Sequence, residues 1–280
     1  MKKNIILFSV FCVCLFADPI PVIVSIPPQK WLVEQIGGKH VSVNALVSKG
    51  DNPVSFEPRP SAVKKVKEAK LYFTISVPFE KLWLGKLKKL NKNIELVACD
   101  EGVKKIDLSH SHDGHGHNHS KDPHIWLSIK ELKIICKTIK TALAKHDGKN
   151  AADYEQNYTA LVKRFEALDK TIGKSLADLN ERSLMVYHPS WSYFFRDYKL
   201  EQIAIESENK EPSLRELKEL IKEAKEHRVG VILVQKQFPQ RAAKRIAESI
   251  SAKIIVTDPL EEDIEKNLRN FCKQLTENMK

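Results

Sequence analysis

Ten histidines occur in the 280-residue chain, and six of them fall within fifteen positions: His110, His112, His115, His117, His119 and His124. Only Ser, Asp, Gly, Asn, Lys and Pro lie between them. Nothing in that stretch can build a core, so it reads as a polar loop, 108–121. Neutral imidazole is the commonest metal ligand, and a short His-rich tract is metal-binding by composition. The alternation with Asp, Gly and Asn, mid-chain, argues against an engineered tag. His124 differs from the rest. It follows Asp122-Pro123 and leads into Ile-Trp-Leu-Ser, then into the apolar spacing of Leu132, Ile135, Cys136 and Ile139. Ser128 with Glu131 three residues on forms a capping box, which predicts a helix start there and a fixed, strand-like placement for His124.

The elements that must hold these residues alternate. Pro21–Ile26, Val41–Val47, Leu71–Ser76 and Ile94–Ala98 read as strands, separated by helical stretches at Trp31–Ile36, Ser61–Ala69 and Phe79–Leu90. Strand and helix in turn predict a parallel sheet with helices on both faces. Two long helices follow the His-rich loop. The second, from about Asn150 to Leu179, keeps apolar steps of three and four through Tyr154, Leu161, Phe165, Leu168, Ile172 and Leu176. Thirty residues span about 45 Å, more than one lobe needs, so the helix reads as a bridge. The α/β pattern then resumes to the end of the chain, with a second capping box at Ser213 and Glu216. The expected fold is α/β: two Rossmann-like lobes joined by one long helix. The divisions are 18–148, 149–181 and 182–280.

Met1–Ala17 has a basic start at Lys2 and Lys3, an apolar run from Ile5 to Phe16 and a small residue at Ala17, the order of a secretory signal peptide. A dozen apolar residues are too few to span a bilayer. Cys12 and Cys14 lack the small residues that precede a lipidated cysteine, so the expected product is an exported, periplasmic protein. Lys2 and Lys3 are the only charges in that segment, so the net charge of +10 falls to +8 on its removal. The basic residues are mixed with acids and not interleaved with aromatics, which argues against nucleic acid. A basic bias also fits a nearby anionic membrane. Cys99, Cys136 and Cys272 show no CxxC spacing and no disulfide framework.

In parallel sheets ligands bind beyond the carboxyl ends of strands. Two polar residues of the second half stand there. His188 follows the strand Leu184–Tyr187, and Asp258 follows Lys253–Thr257; each precedes a proline. Taken with His124 they make a two-imidazole, one-carboxylate set suited to zinc, which takes N and O ligands at about 2.0–2.2 Å.

The motifs NPVSFEPRPSAVKKVKEAKLYF at 52–73, DPHIWLS at 122–128, YHPSWSYFFRDYKL at 187–200, EPS at 211–213 and TDPL at 257–260 occur in this order over essentially the whole exported chain. With the long helix and the His-rich insertion, they resemble the periplasmic metal-binding proteins that feed ABC transporters, the cluster A-I group, and within it the zinc type called ZnuA. The resemblance implies one Zn(II) held in the cleft by His124, His188 and Asp258. It implies delivery to the membrane permease of an ABC importer by a monomeric protein that is not an enzyme. Manganese members carry Glu where His188 stands, and imidazole there favours zinc. Two departures stand out. Val54 occupies the place of the family's first histidine, leaving water, Glu57 or a loop histidine to fill it. Gln235-Lys236 replaces a common Glu-Pro, a change expected to touch only the surroundings of the cleft. Two other readings use the same residues. One is a low-affinity zinc store or chaperone built on His110, His112, His115, His117 and His119. The other is a zinc hydrolase, against which stand the lack of HExxH and of a general base placed near His124 or His188.

Overall fold

The computed structural model describes residues 18–48, 50–52, 56–107, 121–206 and 210–279. The first lobe holds β1 (Ile20–Val24), α1 (Pro27–Gly37), β2 (Val41–Ala45), α2 (Pro60–Glu68), β3 (Leu71–Thr74), α3 (Pro78–Leu90) and β4 (Glu95–Ala98). Then come α4 (Ile129–His146) and the long α5 (Ala151–Ala177). The second lobe holds β5 (Ser183–Val186), α6 (Ser192–Tyr198), β6 (Glu201–Ala204), α7 (Leu214–Glu226), β7 (Val231–Gln235), α8 (Arg241–Ile250), β8 (Lys253–Thr257) and α9 (Ile264–Asn278).

Each lobe is built on a four-stranded, all-parallel sheet, with orders β2-β1-β3-β4 and β6-β5-β7-β8. The expected α/β architecture is therefore the observed one. In both sheets the chain first steps one way and then reverses past its starting strand. That reversal opens a crevice at the carboxyl ends of β1 and β3, and another at those of β5 and β7. Right-handed crossovers then put α1 on one face of the first sheet and α2 and α3 on the other. Accordingly α1 packs against α4 and α5, whereas α2 packs against α3.

α1 begins four residues earlier than the apolar spacing predicts. Pro27 and Pro28 occupy its first turn, where a missing N–H costs nothing. The buried Gln29 side chain accepts the N–H groups of Ser25 and Ile26 at 3.0 and 3.3 Å, closing the entry. At α4, Ser128 caps Glu131 N as expected. The Glu131 carboxylate, however, does not close the box; it takes Arg196 of the second lobe at 2.8 Å. At α7 the box of Ser213 and Glu216 is complete.

α5 is 27 residues long, about 40 Å. Its buried stripe of Tyr154, Leu161, Phe165, Leu168, Ile172 and Leu176 packs on α1, α4 and α9. One apolar cluster thus runs from Val22 and Phe73 in the first sheet, through α4 and α5, to Val186, Trp191, Leu233 and Phe271 in the second lobe. A smaller cluster, with Met185, Ile203, Ile232 and Ile246, fills the outer face of the second sheet. Cys99, Cys136 and Cys272 are buried free thiols.

Candidate metal centre

A cavity of about 260 Å³ lies between the lobes. Ser76, Val77 and Pro78 wall it beyond the end of β3; His188, Ser190 and Gln235 wall it at the ends of β5 and β7. Both sheet crevices therefore open onto the same space, which is where the topology says a ligand belongs.

His124 and His188 face each other across it, with ring centroids 5.3 Å apart. Their side chains are only 13% and 12% exposed. His124 is not in a strand-like entry. It begins a short 3₁₀ turn, Ile125–Leu127, and has φ −77° and ψ 39°. The turn is anchored by three buried side chains, Ile125, Trp126 and Leu127. Trp126 Nε1 donates to Pro259 O at 2.7 Å, and Tyr193 OH donates to Asp122 O at 2.9 Å. The second lobe thus fixes the backbone on both sides of His124. His188 stacks on Phe238, centroids 4.7 Å apart and rings within 14° of parallel.

Each imidazole has a carboxylate behind it. His124 Nδ1 donates to Asp122 Oδ1 at 2.7 Å, and His188 Nδ1 donates to Glu206 Oε1 at 2.5 Å. An ionised carboxylate only accepts, so both rings carry their proton on Nδ1 and keep the Nε2 lone pair for a metal. Asp122 is fully buried and Glu206 is 5% exposed. Two buried carboxylates backing two imidazoles suit a divalent cation. Asp122 belongs to a motif already quoted. Glu206 was missed, yet the parallel register pairs Val186 with Ala204, which puts His188 and Glu206 two residues beyond on neighbouring strands.

Asp258 follows the end of β8, and one of its carboxylate oxygens is engaged locally. Its Oδ1 accepts Leu260 N–H at 3.0 Å, closing its own turn, and the residue does not line the cavity. Glu57 is exposed and likewise absent from the lining. Val54 and the loop residues His110, His112, His115, His117 and His119 lie outside the described residues. Among the described residues no three His, Cys, Asp or Glu side chains stand close enough together to hold a metal. The two imidazoles fit two corners of a tetrahedral zinc site.

Gln235 has a larger role than its place beside the cleft implied. It is buried, and its Nε2 donates to His188 O at 3.0 Å and to Ser190 Oγ at 3.1 Å. It therefore fixes the turn that carries His188. On the first-lobe side Ser76 holds a left-handed backbone, φ 62°. A non-glycine residue keeps that conformation only when its surroundings impose it. Here Ser76 N donates to Glu80 Oε2 at 2.8 Å and Ser76 Oγ to Asp100 Oδ2 at 2.6 Å. Burial pushes the Glu80 carboxyl up to about 6, against the hydrogen bonds from Ser25, Ile75 and Ser76 that favour its charged form.

Residues 22–280 match the family model described as "Zinc-uptake complex component A periplasmic". The chain belongs to the ZnuA family. A solved ZnuA is 37% identical with a TM-score of 0.88, covering 94% of this chain and all of that one. A ZnuA deletion mutant with zinc bound is equally similar, at 37% identity and TM-score 0.87, over 94% of this chain and 98% of that one. The zinc-binding lipoprotein AdcA of Streptococcus pneumoniae is 28% identical over 88% of this chain. This chain spans about half the length of that relative, 52%. The ZnuA family is one of transport components, not of hydrolases.

Burial lowers the pKa of His188, as does the neighbouring His124; the Glu206 hydrogen bond opposes both. A metal-binding imidazole must be neutral. His188 therefore stays available below the ordinary value of about 6.5, and its share of the fall in metal affinity should lie under that pH. Zinc competition titrations between neutral and mildly acid pH check this; a midpoint above 6.5 for that step would contradict it.

The carboxylate behind His188 gives a second expectation. Glu206→Gln keeps the shape of the side chain but removes its charge. Supporting groups of this kind are worth about 10–100-fold in metal affinity. The variant should bind zinc that much more weakly, as read by chelator competition.

Proposed function

We propose that this chain captures Zn(II) in the cleft between its lobes and hands it to the membrane permease of an ABC importer. The observation that carries this reading is the facing pair His124 and His188, each with its Nδ1 proton on a buried carboxylate. The family supports the transport role. We assign Met1–Ala17 to a cleaved signal peptide, the working compartment to the periplasm and the working state to a monomer. The bridging segment 149–181 separates the lobes 18–148 and 182–280. No helix among the described residues is long and apolar enough to cross a membrane.

Two imidazoles leave two positions of a tetrahedron for other donors. Water is one. The loop histidines are another, because His119 stands two residues before Lys121, which lines the cavity. In this reading His110, His112, His115, His117 and His119 also gather zinc weakly and pass it inward. Flexible ligands lose more entropy on binding than a preformed pair does. Deleting 108–120 should remove weak sites and keep one strong one. Zinc stoichiometry and affinity on both proteins test it. A strong site that vanishes with the loop would make a loop histidine an obligatory ligand. Weak sites only, in the intact chain, would replace the importer reading with that of a zinc store.

A further inference from the structure

The charge of this chain is not spread over it. From Arg59 to Lys92 there are ten basic residues, Arg59 and Lys64, Lys65, Lys67, Lys70, Lys81, Lys86, Lys88, Lys89 and Lys92. Against them stand two acids, Glu68 and the buried Glu80. That is a net +8, equal to the whole net charge of 18–280, so the remainder of that stretch sums to zero. All ten are exposed. They lie on α2, α3 and the turns beside them, on the face of the first sheet turned away from α5.

Few of these charges are neutralised. Arg59 pairs with Asp51 at 3.1 Å. Lys65 donates to Asn44 Oδ1 and Lys88 to Ile94 O, both uncharged acceptors. Among the described residues no acid pairs with the other lysines of this face. The same face also exposes apolar side chains. Leu82 is 71% exposed and Leu90 37%. Trp83, half-buried beside Leu82, lies under Lys86 Nζ at 4.4 Å.

We infer that the α2–α3 face docks on an anionic phospholipid surface. Lysines beside an anionic leaflet each contribute about fivefold in partitioning, and the effect is screened by salt. An exposed leucine among lysines suits the boundary between headgroups and acyl chains, where the leucine enters and the long basic side chains reach back to phosphate. An acidic protein surface would match the lysines but leave Leu82 without a counterpart. Lys81 belongs both to this face and to the lining of the cavity, so docking sets the mouth of the cleft close to the membrane. The inference does not depend on zinc.

Flotation of the chain beginning at Asp18 with lipid vesicles tests it. Vesicles of phosphatidylcholine alone should not carry the protein; vesicles with one third phosphatidylglycerol should, at low salt and not at high salt. Combined Lys64→Glu, Lys67→Glu, Lys86→Glu and Lys89→Glu should weaken that partitioning by at least about a hundredfold. The same number of reversals on the second lobe, at Lys218, Lys222, Lys225 and Lys244, should change it much less. Leu82→Ser alone should weaken it while leaving net charge untouched. Zinc titration of each variant shows that the fold and cleft survive. Equal losses from the two sets of reversals would overturn the inference, as would no binding to anionic vesicles. Recruitment seen only when the reconstituted permease is present would overturn it in favour of an acidic protein surface.

Discussion

His188→Ala should weaken zinc binding by about a hundred- to a thousandfold. Zinc held by four protein donors in small structural sites is worth roughly 10–16 kcal/mol, so one donor carries about 2.5–4 kcal/mol of it. Among the described residues that line the cavity His124 is the only other imidazole and none is a cysteine, so no like donor replaces His188, whose ring is held between Phe238 and Glu206. His227→Ala makes the contrast. His227 ends α7 and is exposed, so its loss should leave affinity unchanged. Removing His188 also strands Glu206, a carboxylate at 5% exposure, without its partner. Loss of fold must therefore be separated from loss of a ligand. The double variant His188→Ala with Glu206→Gln relieves the stranded charge. It should melt closer to the parent and still fail to bind zinc tightly. Chelator competition with a thermal melt measures both quantities. Equal zinc affinity in the His188 and His227 variants would end the assignment of the site.

The second large effect is on stability. Trp191→Ala should cost about 3–5 kcal/mol, the usual range for removing a buried tryptophan. Trp191 is fully buried, stacks on Phe271 with centroids 3.7 Å apart and meets Phe194 edge-on at 6.0 Å. Its Nε1 donates to Thr257 Oγ1 at 3.4 Å. At this chain length each kcal/mol moves the melting temperature by roughly 2–4 °C, so a fall of about 10 °C is expected. The cluster around Trp191 continues through α5 into the first sheet, so the melt should remain one transition for both lobes. Leu214→Ser, at a side chain 73% exposed, should stay within about 0.5 kcal/mol of the parent. Two separated transitions in the Trp191 variant would show that the lobes fold independently.

The proposed metal site rests on little chemistry and much positioning. Its proposed donors on the described residues are two imidazoles. The rest of the site fixes their tautomer, their direction and the charge behind them. Gln235 illustrates the economy of that arrangement, since one amide bonds the turns at both His188 and Ser190. Gln235, the first residue of the pair that departs from the usual Glu-Pro, therefore supports the turn that carries a proposed metal ligand.

By itself the sequence determined the alternation of strand and helix, because side chains buried on both faces of a parallel sheet read as continuous apolar runs. It determined the bridge, through the apolar steps of α5, and the cap of α7, through Ser213 and Glu216. It also singled out His124, after Asp122-Pro123 at the end of the His-rich stretch, and His188, at a strand end before Pro189, which the folded chain sets face to face. Those signals are local, and a reader of the chain sees them directly. The tertiary structure alone decided which carboxylates serve the histidines. Asp258 stands at its strand end as His188 does, and one of its oxygens takes the backbone N–H of Leu260, two residues on. Glu206 stands eighteen positions from His188 and becomes its neighbour only when β5 and β6 pair in register. Likewise, nothing local tells that Glu131 would leave its capping box for Arg196 in the other lobe. Each of these outcomes is a competition between a partner near in sequence and one near in space. Only the folded chain sets the second distance.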